Sequence, residues 1–275
     1  MSKTALITGG SSGLGFEFAR QLGECGYAPI LLARDQKKLD NAVVTLAKQG
    51  ITAVGYAGDI TDEVRLHAIA EEIEAANGTI DFLILNAGVV TVQLLSLFND
   101  ASEAKRDMEI NLGGTILSAW TFLPLVNRGG SVLMISSAFG LMGPAAYSVY
   151  AASKAGVISF AESLRRELLC KKISVHVACP ADMDTPQLHE EHKRLPAWFK
   201  AGDPRRAISP QLAARRILKQ CNRKTFLIII QFEIHLLNIM NRFLPRRMRD
   251  YFLDRMFPVP GEPDHIMSVP SESVR

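Results

Sequence analysis

The chain has 275 residues, 48% of them hydrophobic and 21% charged. That length suits one large α/β domain or two small ones, and the composition excludes a disordered chain, a collagen-like fibre and a disulfide-stapled miniprotein. The net charge of +3 hides an asymmetry, because residues 1–192 sum to −6 and residues 193–275 to +9.

In chain order, short β-rich runs at 4–8, 29–33, 52–56, 82–85, 131–136, 174–179 and 225–230 alternate with helix-like segments near 14–25, 36–49, 62–76, 101–126, 150–170 and 209–221. This alternation predicts βαβ units around a parallel sheet. Runs such as Val132-Leu133-Met134-Ile135 fit strands buried on both faces. No repeat or linker interrupts the chain before residue 180, so residues 1–257 read as a single unit. Residues 180–209, with Pro180, Pro186, Pro196 and Pro204, read as a long insertion after the sixth strand. Residues 231–257 mix apolar clusters with Arg242, Arg246, Arg247, Arg249 and Arg255, and residues 258–275 read as a mobile tail.

Cys25, Cys170, Cys179 and Cys221 form no C-x-x-C pair, which predicts reduced thiols. The apolar run at 4–8 leads straight into glycines, so no signal peptide is expected. The longest apolar stretch, 226–240, is interrupted by Gln231, Glu233, His235 and Asn238 and is too short and polar to span a bilayer. The expected location is the cytoplasm or the cytoplasmic face of a membrane.

The first strand runs into Thr8-Gly9-Gly10-Ser11-Ser12-Gly13-Leu14-Gly15. Glycines there let the backbone approach a pyrophosphate, and the following helix N-terminus favours negative charge. Tyr150 and Lys154 are four residues apart and share a helix face. A nearby ammonium favours phenolate, and lowering a tyrosine pKa by about 3 units takes roughly 4 kcal/mol. Such a pair also occurs on many solvated helix faces. Ser137 ends the fifth strand, where open α/β sheets bind ligands, although a serine there is most often a cap. Asn86-Ala87-Gly88 follows the fourth strand, and Asn111 lies mid-helix, where propensity disfavours it.

Together these residues resemble the short-chain dehydrogenase/reductase family over about residues 3–230. The resemblance implies a doubly wound Rossmann fold, seven parallel strands in the order 3-2-1-4-5-6-7 with helices on both faces. It implies a cofactor turn of Gly9, Ser11, Ser12, Gly13, Leu14 and Gly15, with Asp59 and Ile60 beside the adenine. Asn86, Ala87 and Gly88 would line the cofactor, as would Pro180, Met183 and Thr185 after strand six. The catalytic set carried over is Asn111, Ser137, Tyr150 and Lys154, the last two also touching the cofactor. Two positions depart from the pattern: Leu85 replaces a second Asn, and Ala181 replaces the glycine after Pro180.

Strand two ends at Ala33, where NAD-using relatives place an acid; Arg34 follows, and Asp35 is placed to cap the next helix. With Lys37 and Lys38 nearby, this points to NADP(H), against the plainer reading of Arg34 as a surface ion pair. The implied reaction is hydride transfer to a carbonyl, with Tyr150 as acid, Ser137 binding the oxygen, Lys154 holding the ribose and Asn111 holding a relay water. The segment 181–208 would cover the substrate. With it, Met142, Pro144, Ala145, Met183, Leu188, Leu195, Trp198 and Phe199 would make an apolar pocket. This is similar to lipid-handling members such as 3-ketodihydrosphingosine reductases or hydroxysteroid dehydrogenases. A reductase of small or acyl-carrier-bound ketones, and a non-catalytic NADPH-binding sensor or scaffold, are the alternatives.

The resemblance also implies a homodimer or homotetramer packed through 101–126 and 150–170. His189-Glu190-Glu191-His192 lacks H-E-x-x-H spacing and predicts no metal. The basic C-terminal segment carries no nucleic-acid motif. It reads either as helices packed on the fold or a partner subunit, or as an interfacial pair, broken at Pro245, on an anionic membrane.

Overall fold

In a computed structural model, which describes residues 3–195, 199 and 207–256, the strands are β1 (Lys3–Thr8), β2 (Tyr27–Ala33), β3 (Val54–Ala57), β4 (Ile80–Leu85), β5 (Val126–Ile135), β6 (Ser174–Ala178) and β7 (Leu227–Ile228). They form one parallel sheet in the order β3-β2-β1-β4-β5-β6-β7, as expected. Side chains alternate across each strand, so each face has its own core. On one face Leu6, Leu83 and Val132 meet α3 (Glu63–Asn77), α5 (Gly114–Phe122) and α6 (Ser148–Glu167). On the other, Ala5, Ile7 and Leu133 meet α1 (Gly13–Glu24), α2 (Gln36–Ala47) and α8 (Pro210–Asn222). Phe18 and Phe122 anchor the two layers; both are fully buried, each worth about 1.5–3 kcal/mol relative to exposure.

The helix boundaries follow local chemistry. Asp35 starts α2, Asp62 starts α3 and Asp100 starts α4 (Ala101–Asp107), each carboxylate accepting from backbone N–H groups of the first turn. The predicted helix at 101–126 is not continuous. α4 passes into a π-helical stretch, Met108–Gly113, and α5 then ends in a single 3-10 turn at Leu123–Leu125. Val126 already belongs to β5, whose first half runs through Gly129 and Gly130, weak strand formers that hide it in the sequence. β7 is shorter than predicted, two residues of the apolar run at 225–230.

The stretch 181–208 is not all loop. Thr185 caps and Pro186 opens α7 (Pro186–Arg194), which holds His189 through His192, the residues read from sequence as a Pro-flanked loop. The C-terminal segment folds as α9 (Phe232–Phe243) and α10 (Arg246–Met256), interrupted at Pro245, with Leu244 driven into extended backbone. Among the described residues no helix is long and apolar enough to cross a membrane. The tail at 258–275 and Trp198 lie outside the described residues.

Candidate active site

A cleft of about 1020 Å³ runs along the carboxyl ends of the strands, from the β1–α1 turn to α9. Every site residue expected from the sequence opens onto it except Gly15 and Asn111, which lie directly behind.

At one end the β1–α1 turn comes close to its neighbours. Gly13 has φ +53°, and a Cβ on Gly15 would come within 2.2 Å of the Gly9 carbonyl oxygen, so neither accepts a side chain. The turn is braced from β4, because the Asn86 amide side chain donates to the carbonyls of Thr8 (3.0 Å) and Gly9 (3.4 Å). Ser12 stands at the N-cap of α1, yet its hydroxyl accepts no capping hydrogen bond, and no acid occupies the first turn. Helices α2, α3 and α4 have their ends closed by carboxylates; α1 presents its N–H groups to the cleft. The donors and positive dipole end there fit a phosphate group.

Beyond the turn, Arg34 is 59% exposed and lies 3.6 Å from Asp59. Burial opposes charge on Asp59, but hydrogen bonds from Thr61 and the Arg34 charge hold its carboxyl below the usual range. Asp35 is occupied elsewhere, accepting from the Lys38 N–H at 3.1 Å. Arg34 and Lys38 thus face the cleft together with Asp59, the partner of Arg34, and with Asp35, which caps α2.

The central residues come from three elements. Ser137 lies two residues beyond the end of β5, and its hydroxyl pairs with the Tyr150 phenol on α6. Lys154, one turn further and 5% exposed, donates to the Ile135 carbonyl (3.1 Å), with its nitrogen 5.9 Å from the Tyr150 ring centre. Ser136 fixes this turn by donating to the Lys154 carbonyl (2.7 Å). Gly88 leaves room for both partners, since a Cβ there would approach Asn111 Oδ1 to 2.9 Å and Lys154 Nζ to 3.1 Å.

Asn111 is fully buried in the π-helical stretch, a distortion frequent at functional sites. Its Nδ2 donates to the Val89 carbonyl (2.9 Å) and Ser153 Oγ (3.0 Å), and its Oδ1 accepts from the Val89 N–H (2.8 Å). Both amide donors are used, so an expected relay water would have only the second lone pair of Oδ1. The direct effect of Asn111 is to staple the N-A-G turn to α6.

The electrostatics differ from the sequence expectation. Lys154 does not pull the Tyr150 phenol down; burial pushes it up, the Ser137 hydrogen bond opposes this, and Glu191, Asp107 and Asp182 push it further. Burial also lowers Lys154 to about 8, partly countered by Asp107. Asp107, wholly buried and held by the Thr91 N–H and hydroxyl, was not legible as a site residue: one acid among several in a helical segment.

The other end of the cleft is mostly apolar. Met142, Met183, Leu188, Leu195 and Phe199 line it as predicted; Pro144 and Ala145 do not, because the turn before α6 carries them outside. Sequence reading missed two contributions. One is the inner face of α9, with Ile234, Leu237 and Met240. The other is a polar pair: Tyr147 donates to Glu191 Oε1 at 2.5 Å, joining α7 to the start of α6.

The short chain dehydrogenase model matches residues 3–195. A 3-oxoacyl-[acyl-carrier-protein] reductase of Rattus norvegicus is 32% identical over 203 residues, 71% of this chain and 84% of that protein. A fatty acyl-CoA reductase of Acinetobacter baylyi is also 32% identical, over 63% of this chain and 60% of that protein. In fold, the chain matches a short chain dehydrogenase/reductase of Burkholderia phymatum in complex with NAD, with TM-score 0.77, 24% identity and coverage of 95% and 98% of the two chains. With the serine, tyrosine and lysine gathered beside a glycine turn, the chain belongs to the short-chain dehydrogenase family, whose members are oxidoreductases acting on carbonyl and alcohol groups.

Proposed function

We propose that the protein is an NADPH-dependent reductase of hydrophobic, lipid-like ketones. The observation that carries this is the division of one cleft: an open helix end with Arg34 and Lys38 on one side, an apolar compartment on the other, and Ser137, Tyr150 and Lys154 between them. Acyl-chain reductases among its relatives support the lipid-like substrate.

When bound, the reduced nicotinamide supplies a hydride to the carbonyl carbon. Ser137 donates a hydrogen bond to the carbonyl oxygen and holds it against Tyr150. The Tyr150 hydroxyl gives its proton to that oxygen as negative charge develops there, leaving an alcohol and a phenolate. Lys154, its pKa lowered by burial to about 8, would hold the ribose hydroxyls, and the phenolate regains its proton from solvent. Arg34 and Lys38 would receive the 2′-phosphate, Asp59 and Ile60 would hold the adenine side, and Pro180, Met183 and Thr185 would line the nicotinamide end.

The test is turnover of long-chain ketones with NADPH and NADH. NADPH oxidation with kcat/KM at least tenfold above that for NADH supports the reading. Equal or better use of NADH overturns the cofactor assignment. Cofactor binding without turnover of any carbonyl compound leaves a sensor or scaffold, and exclusive use of short or carrier-bound ketones replaces the substrate class.

A second reading concerns the outer face of α9–α10. Phe232, Leu236, Ile239 and Phe243 form an exposed stripe at helical spacing, with Phe232 and Leu236 at the rim of the cleft and Phe232 and Phe243 each 76% exposed, and Met248, Tyr251 and Phe252 extend it along α10. Arg242, Arg246, Arg247, Arg249 and Arg255 accompany it. We propose that this face rests on an anionic membrane. Full-length protein should co-sediment with phosphatidylserine-containing vesicles at low salt and release as salt rises; protein that ignores such vesicles removes the claim. A homodimer or homotetramer through α4, α5 and α6 completes the reading, and a light-scattering mass equal to one chain at micromolar concentration contradicts it.

A further inference from the structure

We propose that Asp107 is a positioning residue for the reaction: its carboxylate is the fixed counter-charge of the Lys154 ammonium and anchors the segment 89–93 that seats the start of α6. This rests on the reductase reading above and adds to its machinery a buried acid that lies outside the cleft.

The geometry is a two-rung clamp. Asp107 ends α4, and Asn111 follows four residues later in the π-helical stretch. Asn111 holds the N–H and carbonyl of Val89. Asp107 holds Thr91, Oδ2 accepting from its N–H at 2.9 Å and Oδ1 from its hydroxyl at 2.8 Å. Two residues on, the Gln93 N–H donates to the Ala146 carbonyl at 2.8 Å, and the buried Val92 packs with Ala146 and Tyr147. Ala146 has φ +65°, a left-handed conformation costly for a residue with a Cβ, and it stands two residues before α6. The clamp therefore runs from Asp107 through Thr91 and Gln93 to the helix that carries Tyr150 and Lys154.

A clamp alone does not call for a charge. An asparagine at 107 would accept from the Thr91 N–H and donate to its hydroxyl equally well. A carboxylate only 1% exposed is costly unless a cation answers it, and the hydrogen bonds from Thr91 are neutral. The cation is Lys154, itself buried, whose Nζ donates to the uncharged Ile135 carbonyl. A Cβ on Gly88 would meet both that Nζ and Asn111 Oδ1, so the ammonium lies beside the same clamp.

The other groups around Lys154 do not supply the charge. Cys179, at the end of β6, acts on it, but burial pushes that thiol up to about 12 and leaves it neutral. On α6 itself the Tyr150 phenol is raised and neutral as well, and Asp182 and Glu191 from the α7 side act on that phenol. Burial draws Lys154 down to about 8, and Asp107 is the first of the groups that oppose it. The charge on Lys154 near neutral pH thus leans on Asp107.

The experiment measures NADPH affinity by fluorescence titration, with NADH in parallel, from about pH 6 to pH 9 in wild type, Asp107→Asn and Thr91→Val. Lys154 holds the ribose as an ammonium, so loss of its proton weakens binding. Removing the Asp107 charge should lower the Lys154 titration by about one unit. The variant-to-wild-type ratio of Kd should then stay within about twofold at pH 6 and reach about fivefold at pH 8. The alkaline limb of kcat/KM for a long-chain ketone should move down by the same unit. Thr91→Val removes one rung of the clamp and keeps the charge, and should leave both profiles at the wild-type pH. A Kd ratio independent of pH, or an equal shift in Thr91→Val, overturns the proposal and leaves Asp107 a structural acid. If Asp107→Asn does not fold, Asp107→Ser, which keeps one acceptor for Thr91, carries the same comparison. A wild-type affinity for NADH that is flat across this range also overturns it. If no ketone is reduced, the reductase reading falls, and the Kd profile decides on Asp107 by itself.

Discussion

The two ends of the cleft are built by different rules. The cofactor end is made of strand ends and the turns that follow them, with contacts as tight as the 2.2 Å a Gly15 Cβ would have to Gly9, leaving little freedom in residue type. The substrate end is made of α7 and α9, which lie outside the sheet and touch the rest through side chains. A rigid frame with an adjustable wall lets one chemistry serve many substrates, and the variation belongs in the wall.

Four changes would break or sharpen this contrast. The largest effect belongs to the seam between the two ends. Tyr150→Phe should lower kcat by about 10²–10⁴-fold, the range for loss of a general acid, while NADPH affinity stays within a few-fold; residual activity above a tenth of wild type would remove Tyr150 from that role. At the cofactor end, Arg34→Ala should reduce the NADPH-over-NADH ratio of kcat/KM by about 10- to 100-fold, since a charged hydrogen bond is worth roughly 1.5–3 kcal/mol. An unchanged ratio would leave Arg34 as a surface partner of Asp59.

At the substrate end, Leu237→Ala should raise KM for long-chain ketones by about tenfold while leaving cofactor affinity alone, at about 0.8 kcal/mol per lost methylene contact. An effect of equal size on a short ketone would place α9 outside the substrate path. The smallest effect is thermal. The Glu191 carboxyl rises from 4.5 in the unfolded chain to about 7 in the fold, so the fold is penalised as pH climbs through that window and fully so above it. Glu191→Gln should therefore raise Tm by about 2–4 °C more at pH 8 than at pH 5, which is roughly 1 kcal/mol at this size. The same gain at both values would mean the carboxyl is solvated.

The contrast also explains what could be read in advance. Gly9, Gly13 and Gly15 lie within seven residues, and Tyr150 and Lys154 within one turn; their short spacing is a geometric statement. The strand order followed from the family resemblance those residues carry. The Tyr147–Glu191 bond joins residues 44 apart through a helix whose start, Thr185-Pro186, looked like loop among prolines. Asp107 and Asn111 were separable only in part, because the π-helical stretch that begins just after Asp107 and buries Asn111 has no marker in the residues themselves. Direction was misjudged for the Tyr150 phenol because adjacency to Lys154 was visible and burial was not.

The uncapped start of α1 has a consequence for the molecule as a whole. Where α2 and α3 carry their own carboxylate, α1 carries none, and a nucleotide phosphate in the cleft would supply its terminating negative charge. A bound nucleotide is then a missing piece of secondary structure as well as a reactant. Its concentration would then set how firmly residues 9–15 are folded, through the mass-action term RT ln(1 + [L]/Kd), about 2.7 kcal/mol at a hundredfold excess over Kd. Amide exchange in that turn should slow with added NADPH more than anywhere in α2 or α3, so the protein's resistance to unfolding tracks the nucleotide supply around it.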